Sequence, residues 1–193
     1  MSSTSEITLI PWDPLSEPHR KTLYQQRVDC SWDMELVQEV WRDEQIRGDK
    51  CIYWVALPTN DAGDREREKL VDTATSIYAA TRQPTRADFI PIGHIGLDAK
   101  NAKAEKLGLE IPSEGVFWIK SLFVRHNAQG KGIGRAAMDE IERIAAREPL
   151  HARTLMLDTV ERGDQLREEF AKATYGGVPK ASLIYSQVGL MLS

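Results

Sequence analysis

The chain has 193 residues, of which 41% are hydrophobic and 28% charged, a balance typical of one folded domain and not of a disordered segment. Its 25 basic and 29 acidic side chains give a net charge of −4, so the chain as a whole has no positive field to attract nucleic acid or anionic membrane, which leaves a local basic patch for a phosphorylated small molecule as an alternative. Two cysteines without paired spacing exclude a disulfide framework and a zinc site, so we expect no metal.

The N-terminal region carries no targeting signal that we can identify. Residues 1–9 contain no basic side chain and no long apolar stretch, so they do not resemble a secretory signal. No apolar run approaches the roughly 18 residues that a membrane-spanning helix needs. We therefore expect a cytoplasmic protein, with passive entry into the nucleus as an alternative.

The first half of the chain predicts three strands and two helices around an irregular insertion. Residues 7–12 are rich in β-branched side chains and are broken by Pro11, which favours a strand. Met34, Val37 and Trp41 recur at helical spacing, so they share one face of a helix. Residues 59–88 lack such periodicity, and we interpret them as an insertion. Strands are predicted at residues 7–12, 51–57 and 89–97, and helices at residues 14–27 and 33–46.

The second half of the chain predicts a buried strand followed by an amphipathic helix. Residues 115–124 are apolar on both faces, as expected in the middle of a sheet. In the helix that follows, Ile133, Ala137 and Ile141 recur at spacings of four. Further elements are predicted as a strand at residues 154–160 and helices at residues 164–174 and 180–188. This order of strands and helices indicates an α/β fold.

The most informative segment is the glycine-rich turn between strand 115–124 and the helix after it. The first N–H groups of a helix have no partner within it, and together with the helix dipole they bind anions. Glycines let the backbone approach a phosphate and allow the positive φ that aims successive amides at it. Arg125, Lys131 and Arg135 add local positive charge. The turn therefore predicts a site for a phosphorylated ligand.

The spacing of the glycines separates this turn from two common nucleotide-binding motifs. The P-loop pattern is absent because no Ser or Thr follows Lys131, and the dinucleotide pattern GxGxxG fails at its last glycine. The pattern that fits is Gln-x-x-Gly-x-Gly, formed by Gln129, Gly132 and Gly134. This turn resembles the acyl-CoA pyrophosphate loop of the GNAT superfamily of N-acetyltransferases.

The resemblance covers about residues 90–190. The strand before the turn ends five residues before Gln129, residues 155–159 resemble the family's fifth strand, and residues 181–190 resemble the helix that closes the acyl-CoA site. The resemblance implies a single domain, residues 1–193, with an α/β fold in which helices flank a mixed, mostly antiparallel central sheet. Relatives continue with two more strands, so the end of this chain at Ser193 implies that the last one or two strands are missing or altered.

The resemblance implies acetyl-CoA as the acyl donor. The pantetheine arm would pair with a strand backbone, beside a bulge where strands 115–124 and 154–160 splay apart. The pyrophosphate would lie on the amides of the glycine turn. The residues implied to bind the donor are Leu122, Phe123, Val124, Gln129, Gly130, Lys131, Gly132, Ile133, Gly134 and Arg135.

The resemblance also implies direct attack of an amine on the thioester. Tyr185 stands where the family commonly places the acid that protonates the leaving thiolate; the alternative is a packed helix tyrosine. Many relatives carry a carboxylate base in the fourth strand, where this chain has Trp118, and Val178 replaces the family's asparagine before the last helix. An amine with a pKa of about 10 must lose a proton before attack. His94 is the best candidate base, and the alternative is a histidine that only satisfies hydrogen bonds in the sheet.

The acceptor implied by the resemblance is a primary amine of a small molecule or peptide. Relatives hold it with the first two helices and the strand edges, which implies Tyr24, Arg27, Trp32 and Trp118 here. The net negative charge favours a cationic or neutral acceptor.

Two further expectations follow from the departures. Trp118 and the short C-terminus favour a second hypothesis, a non-catalytic CoA-binding module or an inactive truncated relative. Missing end strands would also leave an open sheet edge, and such an edge favours a homodimer that shares strands.

Overall fold

A computed structural model describes residues 7–58, 68–101, 110–157 and 169 of the chain. Within these residues, helices pack on both faces of a six-stranded sheet, and a two-stranded hairpin forms a second, separate sheet. The elements in chain order are β1 (Thr8–Pro11), α1 (Glu17–Cys30), a π-helical turn (Val37–Trp41) that continues into α2 (Arg42–Arg47), β2 (Lys50–Pro58), β3 (Leu70–Val71), β4 (Ser76–Ile77), β5 (Ala80–Thr81), β6 (Asp88–Asp98), β7 (Val116–Val124), α3 (Ile133–Ala146) and β8 (Thr154–Leu157).

The sheet is mixed and mostly antiparallel, which confirms the predicted fold class. Its main path runs β1-β2-β6-β7-β8, and β3 pairs with the first residues of β6. Neighbouring strands are antiparallel except β7 and β8, which pair in parallel from Val116 with Thr154 to Ile119 with Leu157. The helix α3 supplies the crossover that two parallel neighbours require.

The two faces of the sheet build two separate hydrophobic cores. Along β2, Cys51, Tyr53 and Val55 belong to the core that contains α3, whereas Ile52 and Trp54 belong to the core that contains α1 and the π-helical turn. This alternation follows from the period of two along a strand. The helix α3 reaches its core through an apolar stripe at Ile133, Ala137, Ile141 and Ala145.

The second predicted helix begins later than the sequence pattern indicated. Asp33 has a φ of 52°, in the left-handed region, so a right-handed helix cannot run through it. Helical geometry starts with the π-helical turn, where Val37 and Trp41 are buried, and continues into α2 until Gly48, whose φ is 81°. The predicted helix over residues 33–46 therefore shortens at its N-terminal end.

Several predictions fall on residues that lie outside the described ranges. They include the predicted helix at residues 180–188 with Tyr185, the position of Val178, and the end of the chain on which the homodimer was predicted. In the described part, no helix has the length and apolar character to cross a membrane.

Candidate functional site

The glycine-rich turn joins the end of β7 to the start of α3. A short 3-10 turn, His126–Ala128, follows β7, and α3 begins at Ile133. Ile133 and Ala137 are buried in the core, so they fix the first turn of the helix against the sheet. The N–H groups at this end of α3 consequently have a fixed direction, away from the helix and over the turn.

Two glycines of the turn adopt a conformation that side chains rarely allow. Gly130 and Gly132 both have a φ of 77°. A Cβ atom built on either residue would meet no atom of the described residues within 4 Å, so this part of the chain leaves the space beside the turn open. Gly132 is the N-cap of α3 and has no side chain that could bond the amides of the first helical turn. Those amides and the helix dipole can therefore receive an anion.

The basic residues around the turn differ in their partners. Lys131 and Arg135 are exposed, and the Lys131 ammonium donates to the Asn127 carbonyl oxygen at 3.2 Å. Arg125 instead forms an ion pair with Glu68, with 2.9 Å between Nη2 and Oε2. Glu68 therefore offsets part of the positive charge that Arg125 was expected to add at the turn. Lys131 and Arg135 remain the cations that flank the open side of the turn.

Gln129 fastens the turn to the end of β7. Its Nε2 donates to the Val124 carbonyl oxygen at 2.8 Å. The Arg125 N–H donates to Ile92 on β6 at 2.8 Å, and backbone groups alternate along an antiparallel strand, so the polar groups of Val124 face away from β6. They face the side on which β8 pairs with the earlier part of β7.

A β-bulge interrupts β7 immediately before the predicted pantetheine strand. His94 on β6 pairs with Phe123, and Gly96 pairs with Lys120, so two steps along β6 correspond to three along β7. Ser121 carries the irregularity, with a φ of 55°. Such a bulge bends a strand and re-aims its side chains. The predicted bulge is confirmed in β7, whereas the predicted splay from strand 154–160 lies beyond Leu157, outside the described residues.

Gly93 allows β6 and β7 to approach closely beside this bulge. A Cβ atom on Gly93 would lie 2.2 Å from the Phe123 carbonyl oxygen, which is closer than two non-bonded atoms approach in proteins. An isolated glycine inside a predicted strand is the sequence signal for such an approach. The predictions from the sequence do not include this close approach at Gly93.

His94 is fully buried and bonded at both ring nitrogens. Gln26 donates through Nε2 to the Pro91 carbonyl oxygen at 2.9 Å, so its Oε1 accepts the proton of His94 Nδ1 at 2.8 Å. The remaining lone pair, on Nε2, faces Arg27 Nη1 at 3.4 Å. Burial, with a smaller effect of the Arg27 charge, holds the pKa of His94 well below its usual 6.5. In this arrangement the imidazole is neutral and presents no accessible lone pair.

Arg27 links the loop after α1 to this histidine. Its side chain is buried, and Nε donates to the Trp32 carbonyl oxygen at 2.8 Å. Nη2 lies 3.4 Å from Asp33 Oδ2, and the guanidinium stands 5.2 Å from the centre of the Trp41 ring. A cation can be buried when its donors are used and an aromatic face lies beneath it.

The Lys50 ammonium is a second cation close to the Trp41 indole. Lys50 Nζ lies 5.0 Å from the centre of the Trp41 ring and 2.6 Å from Asp98 Oδ2. Both side chains of this ion pair are buried, and no periodic pattern in the sequence predicts their burial. Two cations therefore lie close to the Trp41 ring, and each also contacts a residue of β6, Arg27 at His94 and Lys50 at Asp98.

The four predicted acceptor contacts differ sharply in exposure. Tyr24 is 38% exposed on α1, and Trp32 is partly exposed in the loop after it. Arg27 and Trp118 are only 3% and 4% exposed, which leaves little surface for contact with a substrate. Lys120 covers the Trp118 ring, with its ammonium 5.9 Å from the ring centre.

Comparisons with known proteins give the same family as the glycine turn. The family model described as "Acetyltransferase (GNAT) family" matches residues 21–175. A search of the curated proteins finds no match.

Three solved structures, two of them of the same protein, are similar to this chain. Arabidopsis thaliana NAA60 in complex with a bisubstrate analogue aligns over 88% of this chain and 84% of its own, at 17% identity and a TM-score of 0.50. The same protein in complex with acetyl-CoA aligns over 79% and 74%, at 19% identity and a TM-score of 0.46. An acetyltransferase of the GNAT family from Staphylococcus aureus Mu50 aligns over 89% and 80%, at 12% identity and a TM-score of 0.44.

Proposed function

The chain belongs to the GNAT family of acetyltransferases, and we propose that it transfers the acetyl group of acetyl-CoA to a primary amine of a small molecule or peptide. The family uses acetyl-CoA as its donor. The observation that carries the proposal is the open glycine turn at the start of α3, placed directly after a bulged strand.

The donor would be held by the backbone of β7 and of the turn. We propose that the pyrophosphate binds the amides between Gly130 and Arg135, with Lys131 and Arg135 as cations beside it. The outward-facing N–H of Val124 supports pairing of the pantetheine arm along Leu122, Phe123 and Val124, as an added strand would pair. Gln129 contributes by holding the end of β7 next to the turn.

The chemistry would be a direct attack of a neutral amine on the thioester carbonyl. The new C–N bond forms, the carbonyl oxygen carries the negative charge of the tetrahedral intermediate, and a strand N–H stabilises it. The C–S bond then breaks, and the CoA thiolate takes a proton, for which Tyr185 is our candidate donor. The products are an acetylated amine and free CoA.

The proton that the amine loses needs a separate route. His94 could act directly as the base only if Arg27 moved away from the Nε2 atom of His94. We therefore propose that the proton leaves through water and that His94 acts by holding Arg27. The kcat/KM profile would then rise with pH along the pKa of the acceptor amine itself, which is checked by comparing two acceptors of different basicity.

The acceptor would bind on the side of the sheet that carries α1. Exposure supports Tyr24 and Trp32 as its contacts, whereas Arg27 and Trp118 have little exposed surface with which to contact it. The net charge of −4 is compatible with a cationic or neutral amine.

A panel of amines tests the proposal directly. The purified full chain is incubated with acetyl-CoA and, separately, with a tetrapeptide that has a free N-terminus, an α-blocked lysine peptide, spermidine and an aromatic amine. With at least one acceptor, we expect acetyl-CoA to release CoA thiol and the acceptor to gain, in mass spectrometry, the mass of one acetyl group in place of one amine hydrogen. Thiol release without an acetylated product would indicate hydrolysis and would contradict amine transfer.

A non-catalytic CoA-binding module is the second candidate. It is favoured by Trp118 at the position of the expected base and by the bonded state of both His94 nitrogens. This candidate predicts that acetyl-CoA raises the melting temperature while every amine of the panel stays unmodified. Ligand at 100 times its Kd stabilises a protein by about 2.7 kcal/mol. ATP and NAD serve as controls that should give a clearly smaller shift.

A further inference from the structure

Arg27 lies between the loop after α1 and the strand proposed to hold the donor. Resting on the proposed acyl transfer, we infer that Arg27 is a positioning residue for the acceptor: it couples the loop at residues 31–36 to β7 through His94. It does so from within the protein, since its side chain has almost no exposed surface.

The loop has an internal reason to need such a tether. Ser31 and Asp33 both have positive φ values, 65° and 52°, although neither is glycine. Each residue in this region of φ costs about 1 kcal/mol or more and persists only where the surroundings hold it. Arg27 binds the loop at two points, the Trp32 carbonyl oxygen and the Asp33 carboxylate. The guanidinium therefore helps to hold the loop backbone that carries the Trp32 side chain.

On its other side, Arg27 meets a chain of contacts that ends on β7. Nη1 faces His94 Nε2, and Gln26 fixes the imidazole by accepting from Nδ1. His94 is the cross-strand partner of Phe123, and the centres of their rings are 5.5 Å apart. Phe123 lies in the segment proposed to pair with the pantetheine arm. One guanidinium thus joins the acceptor loop to the donor strand through a single histidine.

The fork of the guanidinium is what makes the coupling specific to arginine. Its Nε, Nη1 and Nη2 atoms face three different groups, and the side chain stacks on Trp41. Lysine keeps the charge but has one nitrogen, so it cannot serve Trp32, Asp33 and His94 together. Arg27→Lys consequently tests the geometry and not the charge.

The experiment compares Arg27→Lys with a matched control on the same helix. Arg20 also belongs to α1, and its Nη1 donates to the Pro14 carbonyl oxygen at 3.1 Å, away from this network. With the most reactive amine of the panel, we expect Arg27→Lys to raise the acceptor KM about tenfold, the equivalent of one hydrogen bond to a charged group. The Kd for acetyl-CoA should stay within twofold, and Arg20→Lys should change neither constant.

A double-mutant cycle shows whether Arg27 acts through His94. We expect His94→Gln to raise the acceptor KM by a similar factor and the double variant Arg27→Lys/His94→Gln to show no more than the larger single effect. The inference would be overturned if the two single effects on the acceptor KM multiplied in the double variant, or if Arg27→Lys left the acceptor KM unchanged. It would also be overturned if Arg27→Lys weakened acetyl-CoA binding as much as it raised the acceptor KM.

Hydrogen exchange tests the coupling without any catalytic activity. In Arg27→Lys we expect faster amide exchange both in residues 31–36 and in residues 121–124, and in Arg20→Lys in neither segment. Faster exchange in the loop alone would overturn the coupling. If no amine of the panel is acetylated, the proposed function fails, and this measurement still decides whether Arg27 connects the loop to β7.

Discussion

Substitution of Gly132 separates the stability of the turn from its affinity for the donor. Gly132 has a φ of 77°, a conformation that costs an L-residue such as alanine about 1–2 kcal/mol. Among the residues that the structure describes, the new Cβ atom meets no atom within 4 Å, so they add no steric cost. For a chain of this size, 1 kcal/mol corresponds to about 2–4 °C, so Gly132→Ala should lower the melting temperature by about 2–8 °C.

The affinity of Gly132→Ala for acetyl-CoA should fall by more than its stability predicts. If the Cβ atom displaces the pyrophosphate from one or two amides, the lost bonds to a charged group amount to about 1.5–3 kcal/mol each, or at least tenfold in Kd. Isothermal titration with acetyl-CoA measures this value, and thermal unfolding without ligand measures the stability.

Gly134→Val is the matched control for backbone strain. Gly134 lies inside α3, where glycine and valine differ little in helix propensity, so the melting temperature should stay within a few degrees. We expect donor affinity to fall nonetheless, because the added side chain stands in the same turn. If Gly132→Ala and Gly134→Val both keep the wild-type Kd within twofold, the pyrophosphate binds elsewhere and the reasoning is refuted.

Three further predictions concern the sheet and the proposed acid. Gly93→Ala should lower the free energy of unfolding by about 3 kcal/mol or more in denaturant titrations, because its Cβ would overlap the Phe123 carbonyl oxygen; a loss below 1 kcal/mol would contradict the close approach. His19 is a buried residue of α1 whose Nδ1 accepts from the Trp54 indole N–H at 3.1 Å. Burial lowers the pKa values of His19 and His94 below 6.5, so the unfolded state binds more protons, and stability should fall as pH drops below about 6.5, by up to about 1.4 kcal/mol per pH unit for each histidine. Chemical denaturation between pH 7 and pH 5 checks this, and a flat profile would show that both imidazoles protonate freely in the fold. Tyr185→Phe should lower kcat by about 10²–10⁴-fold with little change in the Kd for acetyl-CoA, and an unchanged kcat at every pH would assign Tyr185 to packing.

The parts of the fold that the sequence predicts are those that depend on local patterns. The alternation along β2 and the apolar stripe of α3 place both elements against their cores, and the pattern of Gln129, Gly132 and Gly134 identifies the turn. The positive φ of Asp33 was not predictable in the same way, because nothing in the neighbouring sequence demands it.

The contacts that decide the roles of individual residues are distant in sequence. His94 meets Arg27 across 67 positions, and Arg125 meets Glu68 across 57. Residue type and strand position made His94 a candidate base, but its bonding depends on Gln26, a helix residue with no pattern that marks it. Pairings of this kind follow from how distant segments of the chain pack together, which a single sequence does not reveal.

The π-helical turn Val37–Trp41 makes the position of Trp41 depend on chain length. A π-helical turn is equivalent to one residue inserted into an α-helix, and each residue of a helix advances it by about 100°. Deleting one residue here, such as Gln38, would restore ordinary helical pitch and rotate everything before the deletion relative to α2. The Trp41 indole could then no longer contact Arg27 and lie in the same buried cluster as Val37. In this segment, insertions and deletions would therefore do more damage than most exchanges of one side chain for another.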